Sequence, residues 1–541
     1  MKKIISPLFL LLSFQIFSQA SLEKKALKDY DHYNYSRASK EFEAVENKNE
    51  VDMRDLADAY LKMHEYTKAE SWYASLLSAG KSNGNDSVAY IGVLMNNKKY
   101  DEANRQMKSY KQNHKNDSRY DVYLEDFNYL QKLAAGDRFT IANLSINSEQ
   151  EDFGAVYYNN DVVFASSREG VKPVQRRWNG NQLPFLDLYT AKNMDGSELQ
   201  ELKPFQKSFN KKFHEGPVAF AKNGTLAVFT RNNYDGESSD HTRKLKLAVY
   251  ELKEKNWTSI GEFPYNSNEY SVGHGCFNNE GTVLYFASDM QGGKGGVDLY
   301  SITRAADGTW GKPVNLGDKI NTAGNEMFPS LHASGILFFA SDGHPGFGGL
   351  DIFVCQLKDG KFGKVQNVGS PVNSSKDDFH FVLNPAMKEG YFSSNREGGK
   401  GDDDIYHFNM LKPFAFGKTL KGQSKDKSGA ILPNTIVQLR SDKGDVIAEV
   451  KTDAEGNFSF PIEEGKAYTL SGTKNDFTEA TIKVPTAGDA PEIKLALLSW
   501  MPPIFCFSDN NNGTEPMISI TAKRVKETVR ISSKVISSYK L

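Results

Sequence analysis

The sequence predicts a multidomain chain with repeated helices first, a five-bladed all-β propeller in the middle and a small β-sandwich after it. Three observations predict this. Tyr-x-x-Ala recurs at Tyr35, Tyr66 and Tyr100. An apolar residue followed by asparagine recurs five times between Ile146 and Asn373. Beyond Gly417, apolar and polar residues alternate between tight turns. At 541 residues the chain is too long for one core.

The N-terminus reads as an export signal over residues 1–20. Lys2 and Lys3 precede an apolar run from Ile4 to Phe17, and small residues stand around Ser18 and Ala20. The run is short for a membrane span, and no cysteine lies near the cleavage point to carry a lipid. Acidic residues (68) and basic residues (66) nearly cancel, so nothing in the overall charge points to nucleic acid or an anionic membrane. Cys276, Cys355 and Cys506 form no disulfide framework and match no zinc spacing. The first two fall in strand-like repeats and read as buried packing residues.

Residues 22–135 read as helices. The three tyrosines are 31 and 34 residues apart, each followed three positions on by Ala38, Ala69 or Ala103. The small alanine lets paired helices approach while the aromatic fills the groove beside it. This segment resembles tetratricopeptide repeats, which implies an α-helical tetratricopeptide-type solenoid that docks peptides or protein domains.

Residues 138–411 change to strand character. The asparagine motif stands at Ile146-Asn147, Phe209-Asn210, Tyr265-Asn266, Ile320-Asn321 and Val372-Asn373. An apolar strand follows each, ending in Phe164-Ala-Ser, Phe229-Thr-Arg, Phe286-Ala-Ser, Phe339-Ala-Ser or Phe392-Ser-Ser. After a polar or glycine-rich turn, a further strand begins near Asp187, Leu247, Asp298, Asp351 or Asp404. Such units have room for the strands of a propeller blade. The fifth unit lacks an outer strand, and Phe139 to Ser145 can supply it. Asn143-Leu144 precedes Asn147 much as Asn315-Leu316 precedes Asn321. The ring then closes without exposed sheet edges.

The glycines of these units read as turns, not as a phosphate cradle, because a strand follows them and not a helix. Gly348-Gly349 and Gly295-Gly296 are expected to adopt backbone conformations that other residues reach only with strain. The aspartate after each turn is expected to bond nearby amides. Asp402, Asp403 and Asp404 lack EF-hand spacing and read as a solvated turn.

These repeats resemble WD40-like propeller repeats of the TolB type, which some peptidases carry in front of a hydrolase domain. A Gly-x-Ser-x-Gly match exists at Gly80 to Gly84, but it lies between helical hairpins and not on a strand-to-helix elbow. His214, His274, His332, His344 and His380 are scattered over separate units. The reading is therefore no catalytic residue, no cofactor and no metal.

Residues 417–497 resemble carboxypeptidase regulatory-like domains through Thr452-Asp453, Gly456, Phe458, Phe460, Gly465 and Tyr468. The resemblance implies a non-catalytic β-sandwich, with Phe458 and Phe460 on one face and Asn457 and Ser459 on the other. Residues 498–541 read as an irregular tail, with six basic residues after Ile520 against Glu527.

The order of signal, helices, propeller and sandwich resembles the OmpA-family cell-envelope proteins of Bacteroidota, some of them linked to type IX secretion and gliding. That resemblance covers residues 1–497. The tail is too short for the family's peptidoglycan-gripping domain, so no wall-contacting residue carries over. What it implies is a non-enzymatic periplasmic scaffold at the outer membrane. Its helices and propeller would bind protein partners. The alternative is a propeller enzyme or a glycan-binding sensor.

Overall fold

The computed structural model describes residues 7–498, 523–524 and 527–528, apart from 127, 170–176, 212, 359, 415, 417, 427, 463–465, 476 and 485–491. The chain forms two compact units, Met1–Pro413 and Phe414–Leu541. Most of the expected tail, with Cys506, lies outside the described residues, as do the first residues of the expected export signal.

Helices occupy the start of the first unit: α1 (Pro7–Asp31), α2 (Tyr35–Ala44), α3 (Glu50–Lys62), α4 (Tyr66–Ser78), α5 (Gly84–Asn96), α6 (Tyr100–Asn113), α7 (Asp121–Glu125) and α8 (Tyr129–Ala134). The repeated tyrosines open α2, α4 and α6, and the alanines three residues on are buried. Asn49 and Asn83 cap α3 and α5 with reciprocal bonds to Asp52 and Asp86. The Gly80 to Gly84 match is thus the turn leading into α5.

Here the structure corrects the expected fold class. The described chain is mostly β, and no long solenoid forms. Three helix pairs are followed by the short helices α7 and α8, and the array belongs to the same compact unit as the strands. The turns between paired helices share one conformation. Tyr33, His64 and Lys98 occupy equivalent left-handed positions, with φ of 58°, 57° and 59°. His64 and Lys98 both reach side chains of the last β-sheet of the unit.

Five sheets follow, each built as an antiparallel meander. Blade 1 holds β2 (Asp152–Tyr158), β3 (Asp161–Ser166), β4 (Asp187–Asn193) and β5 (Leu199–Pro204). Blade 2 holds β6 (Glu215–Ala221), β7 (Leu226–Asn232), β8 (Leu245–Lys253) and β9 (Asn256–Glu262). Blade 3 holds β10 (Val272–Phe277), β11 (Val283–Ser288), β12 (Asp298–Thr303) and β13 (Val314–Asn315). Blade 4 holds β14 (Glu326–Leu331), β15 (Ile336–Ser341), β16 (Asp351–Lys358), β17 (Lys361–Phe362) and β18 (Gln366–Asn367). Blade 5 holds β19 (Asp378–Leu383), β20 (Glu389–Ser394) and β21 (Asp404–Met410), and β1 (Phe139–Asn143) pairs with β21 as its outer strand. The first strands of successive blades neighbour one another around the ring. The arrangement is propeller-like.

The recurrent asparagine has a single physical role. Its side-chain oxygen accepts from a backbone N–H of the third strand, and its amide donates to the same residue's carbonyl. Asn147 does this with Ile405, Asn210 with Leu188, Asn266 with Leu247, Asn321 with Leu299 and Asn373 with Ile352, at 2.7–3.1 Å. One side chain thereby replaces a strand residue where the outer strand has ended. Asn143, Asn315 and Asn367 accept in turn from Asn147, Asn321 and Asn373.

The second unit holds two larger sheets and a short pairing of residues 523–524 with 527–528. One orders β25 (Asn457–Ile462), β22 (Lys418–Lys425) and β28 (Glu492–Leu498); the other orders β24 (Val446–Lys451), β23 (Ile436–Ser441), β26 (Tyr468–Thr473) and β27 (Ala480–Val484). Phe458 and Phe460 are buried with Leu420, Val437 and Leu470, while Asn457 and Ser459 are exposed.

Candidate functional site

Strand pairing brings three positions of each blade to one face of the ring: the start of the first strand, the end of the second and the start of the third. Asp152, Ser166 and Asp187 align this way in blade 1, and Asp378, Ser394 and Asp404 in blade 5. Most carboxylates in this layer are structural. Asp152 pairs with Arg168, and Asp378 with Arg396. Asp298, Asp351 and Asp404 accept from amides of the turns before them, including Lys294, Phe347 and Gly401. Gly348 and Gly349 have positive φ as expected, but Gly295 and Gly296 do not. At Gly295 the constraint is space, because a Cβ would stand 2.2 Å from the Gly324 carbonyl.

The blade 4 turn is clasped by the helices. Tyr123 Oη donates to the Gly346 carbonyl at 2.9 Å and accepts from its N–H at 2.6 Å, and Tyr129 Oη donates to the Pro345 carbonyl. Between the helices and blades 3 to 5 lies a cavity of about 1140 Å³, with His64, Tyr66, Asp342 and Asp377 in its wall.

His64 also reaches the seam between blades 5 and 1. Its Nδ1 lies 3.0 and 3.2 Å from the two oxygens of Asp402, and its Nε2 is 3.6 Å from Asp377. Burial opposes protonation, yet Asp402, Asp377 and Asp403 outweigh it and hold the imidazole up to about 9. The Asp402–Asp404 turn is only in part the solvated turn expected, since Asp402 is exposed and Asp403 half-buried. Asp404 is fully buried, and Asp402 is engaged by a helix turn.

Glu151 stands beside this pair, just before β2. Burial, then the charge of Asp402, pushes its carboxyl up to about 7, against the Asn181 hydrogen bond and His64. Burial and the same two neighbours, Asp402 and Glu151, raise Asp403 well above the ordinary range. Asn181 Nδ2 donates to Glu151 Oε1 at 2.7 Å. That asparagine belongs to a hairpin in the long β3–β4 connection, closed by Trp178 N–H to the Leu183 carbonyl. Gly180 at its tip leaves room for the indole, since a Cβ there would stand 2.5 Å from the ring. Trp178 is 38 % exposed and meets His214 edge-on at 5.6 Å, with Phe185 also against His214. The result is an exposed aromatic platform beside a protonatable carboxyl.

The five histidines singled out by sequence separate as follows. His214 supports the platform; burial lowers it to about 4. His344 bonds the Ile320 carbonyl, and His332 bonds Ser334 in an outer turn. His274 and His380 lie on the inner strands β10 and β19. Cys276 and Cys355 are buried, and burial raises their thiols to about 11 and about 12. Among the described residues no group of three or more His, Cys, Asp or Glu could hold a metal ion. Glu151, His64, Asp402 and Trp178 were not singled out as site residues by sequence.

No protein-family model and no curated protein matches the chain. It is similar to several solved structures. An α-L-arabinofuranosidase from Lactobacillus brevis is 12% identical, with a TM-score of 0.32, covering 56% of this chain and 96% of that one. An exo-β-1,3-galactanase from Clostridium thermocellum is 11% identical at 0.32, covering 70% and 91%. A family 117 glycoside hydrolase from Zobellia galactanivorans is 10% identical at 0.34, covering 50% and 90%. Likenesses this distant assign neither reaction nor substrate. The expectation of a non-enzymatic chain is at odds with the names of these structures, but a likeness this distant carries no activity over to this chain.

Proposed function

We propose that the helix-capped face of the propeller binds neutral glycans and hydrolyses a glycosidic bond. The observation that carries this is the bond from Asn181 to Glu151, which joins a carboxyl that titrates at about 7 to the hairpin that displays Trp178. Glycoside hydrolysis needs one carboxylic acid to protonate the leaving oxygen and a second carboxylate to stabilise or attack the sugar carbon. Glu151 suits the first role. Asp402, paired with the His64 imidazolium, suits the second. The Trp178 face offers the apolar stacking surface that a sugar ring lacks in water. The charged and apolar N-terminus supports placing this activity outside the cytoplasm.

The test is the full chain against arabino-, xylo-, galacto- and gluco-oligosaccharides, read by reducing-end release and by calorimetry. Glu151→Gln should lower turnover by about 100-fold or more, and Trp178→Ala should weaken binding with less effect on turnover. Absence of both binding and turnover on every sugar would remove the reading. Turnover untouched by Glu151→Gln would remove the assignment of the acid.

A further inference from the structure

The cavity between the helices and blades 3 to 5 has two kinds of wall. Val88, Ala89 and Gly92 of α5, all half-buried, line it with Val122 of α7, which is 38 % exposed. Asn325, Asp342 and Asp351, from blade 4 and the turns beside it, supply polar groups. At about 1140 Å³ the cavity stands at the upper end of small-molecule sites, which leaves room for more than one sugar ring.

Packing alone does not account for Gly92. It lies inside α5, where glycine weakens a helix relative to alanine. No neighbour demands it, because a Cβ there would meet nothing within 4 Å. Gly324 and Gly343 in the same cavity differ: a Cβ would stand 2.3 Å from Asp342 Oδ1 and 1.8 Å from Thr322 Oγ1. Those two serve the packing of blade 4. Gly92 keeps space open beside a helix backbone, as a closely approaching ligand requires.

The polar groups have bonding capacity left. Asp342 is exposed, and Asn325 bonds each of its oxygens once, at 2.6 and 2.7 Å. A carboxylate accepts about four bonds in all. Asp351 is 1 % exposed; its Oδ2 accepts from the Phe347 and Gly348 amides, while Oδ1 has no partner. A buried oxygen in that state is costly, and a ligand hydroxyl relieves it. A sugar offers each wall what it lacks, with carbon-bound hydrogens on its faces and hydroxyls around its rim. His64 links the cavity to the reactive pair, since it lines the one and bonds Asp402 of the other.

We propose that this cavity holds further sugar residues of the chain being cut, so that the substrate is an oligosaccharide and not a single glycoside. Val88, Ala89 and the bare backbone of Gly92 pack on ring carbons, while Asp342 and Asp351 bond hydroxyls. This deepens the glycan reading and rests on it. The competing account is a gap filled only by water.

The test measures binding of short and long members of the oligosaccharide panel to the full chain, with hydrogen exchange read on α5. Affinity should rise at least tenfold from the shortest to the longest ligand that binds, and the longest should slow exchange over residues 84–96. Gly92→Leu should remove that gain without lowering the melting temperature, because leucine favours helix and its Cβ meets open space. Trp178→Ala should weaken short and long ligands alike. Equal affinity at every length, or unchanged exchange in α5 on a saturated chain, would overturn the cavity assignment and leave the glycan reading standing. Neither readout depends on a variant that folds. A Gly92→Leu chain that melts no lower yet binds long ligands as the parent does would also overturn it, since that is the water-filled account. If no sugar binds the unmodified chain, both readings fall together.

Discussion

His64, on the turn between α3 and α4, holds both carboxylate oxygens of Asp402 in blade 5, at 3.0 and 3.2 Å. The helical array is thus fastened to the propeller beside Glu151, and the acid's environment depends on a residue from another part of the chain. Asn395 also approaches Nδ1 at 3.3 Å, and Tyr66 and Asp377 complete the surroundings.

This clamp should show in pH-dependent stability. His64 is raised from 6.5 to about 9 in the folded chain, so its contribution is complete below about pH 6.5 and is lost as pH rises through about 9. His64→Gln should therefore melt lower than the parent at pH 6. The difference should close by about pH 10. A difference that is constant across this range would mean that the ion pair with Asp402 contributes nothing.

Glu151 should show the same sign from a different cause. Its carboxyl is raised from 4.5 to about 7, so its ionised form is disfavoured in the folded chain. Stability contributed by the protonated group is full below 4.5 and lost as pH rises through about 7. Glu151→Gln should be more stable than the parent at pH 8, with the advantage gone near pH 4. Hydrolysis should fall on the alkaline side of about pH 7, where the acid is spent. Thermal melts and a pH–rate profile read these two expectations separately.

Removing a repeated asparagine should orphan two buried backbone groups at once. Asn321 is 1 % exposed and bonds both the N–H and the carbonyl of Leu299. Asn321→Ala should cost about 2–4 kcal/mol in denaturant unfolding. A loss below about 0.5 kcal/mol would show that water replaces the side chain at both groups.

The strand that closes the ring can be tested by one buried ring. Phe139 opens β1 and meets Phe408 at 5.4 Å and Phe381 at 6.0 Å. Phe139→Ala should cost about 3 kcal/mol and expose the edge of β21, so that the variant associates as well as melting early. Loss of stability without association, read by light scattering, would show that β1 stays paired.

Much of this was legible in the sequence because it repeats. The tyrosines that open α2, α4 and α6 and the asparagines that finish the blades recur for local reasons, and a period exposes them. The partnership of Asn143 with Asp404 likewise follows from its likeness to Asn315, which bonds Asp298. The candidate site was not legible. Glu151 owes its state to burial and then to Asp402, which is distant in the chain and shares no motif with it. The inner histidines left a faint trace. Gly154, Phe328 and His380 each stand seven residues after a repeated asparagine, but their chemistry differs, so the position recurs while the residue does not. The short helical array misled because a 34-residue period describes each pair and says nothing of how many pairs follow.

The pairing of β1 with β21 also sets an order of events at the ribosome. Residues 139–143 emerge early and can find no mate until residues 404–410 exist. Each earlier blade can assemble from contiguous chain, but the last joins the two ends of a segment more than 260 residues long. A nascent chain halted at any point before β21 keeps two unpaired edges, one on its first strand and one on its latest sheet. Closure thus waits on synthesis of the whole ring, and every shorter product carries open strand edges.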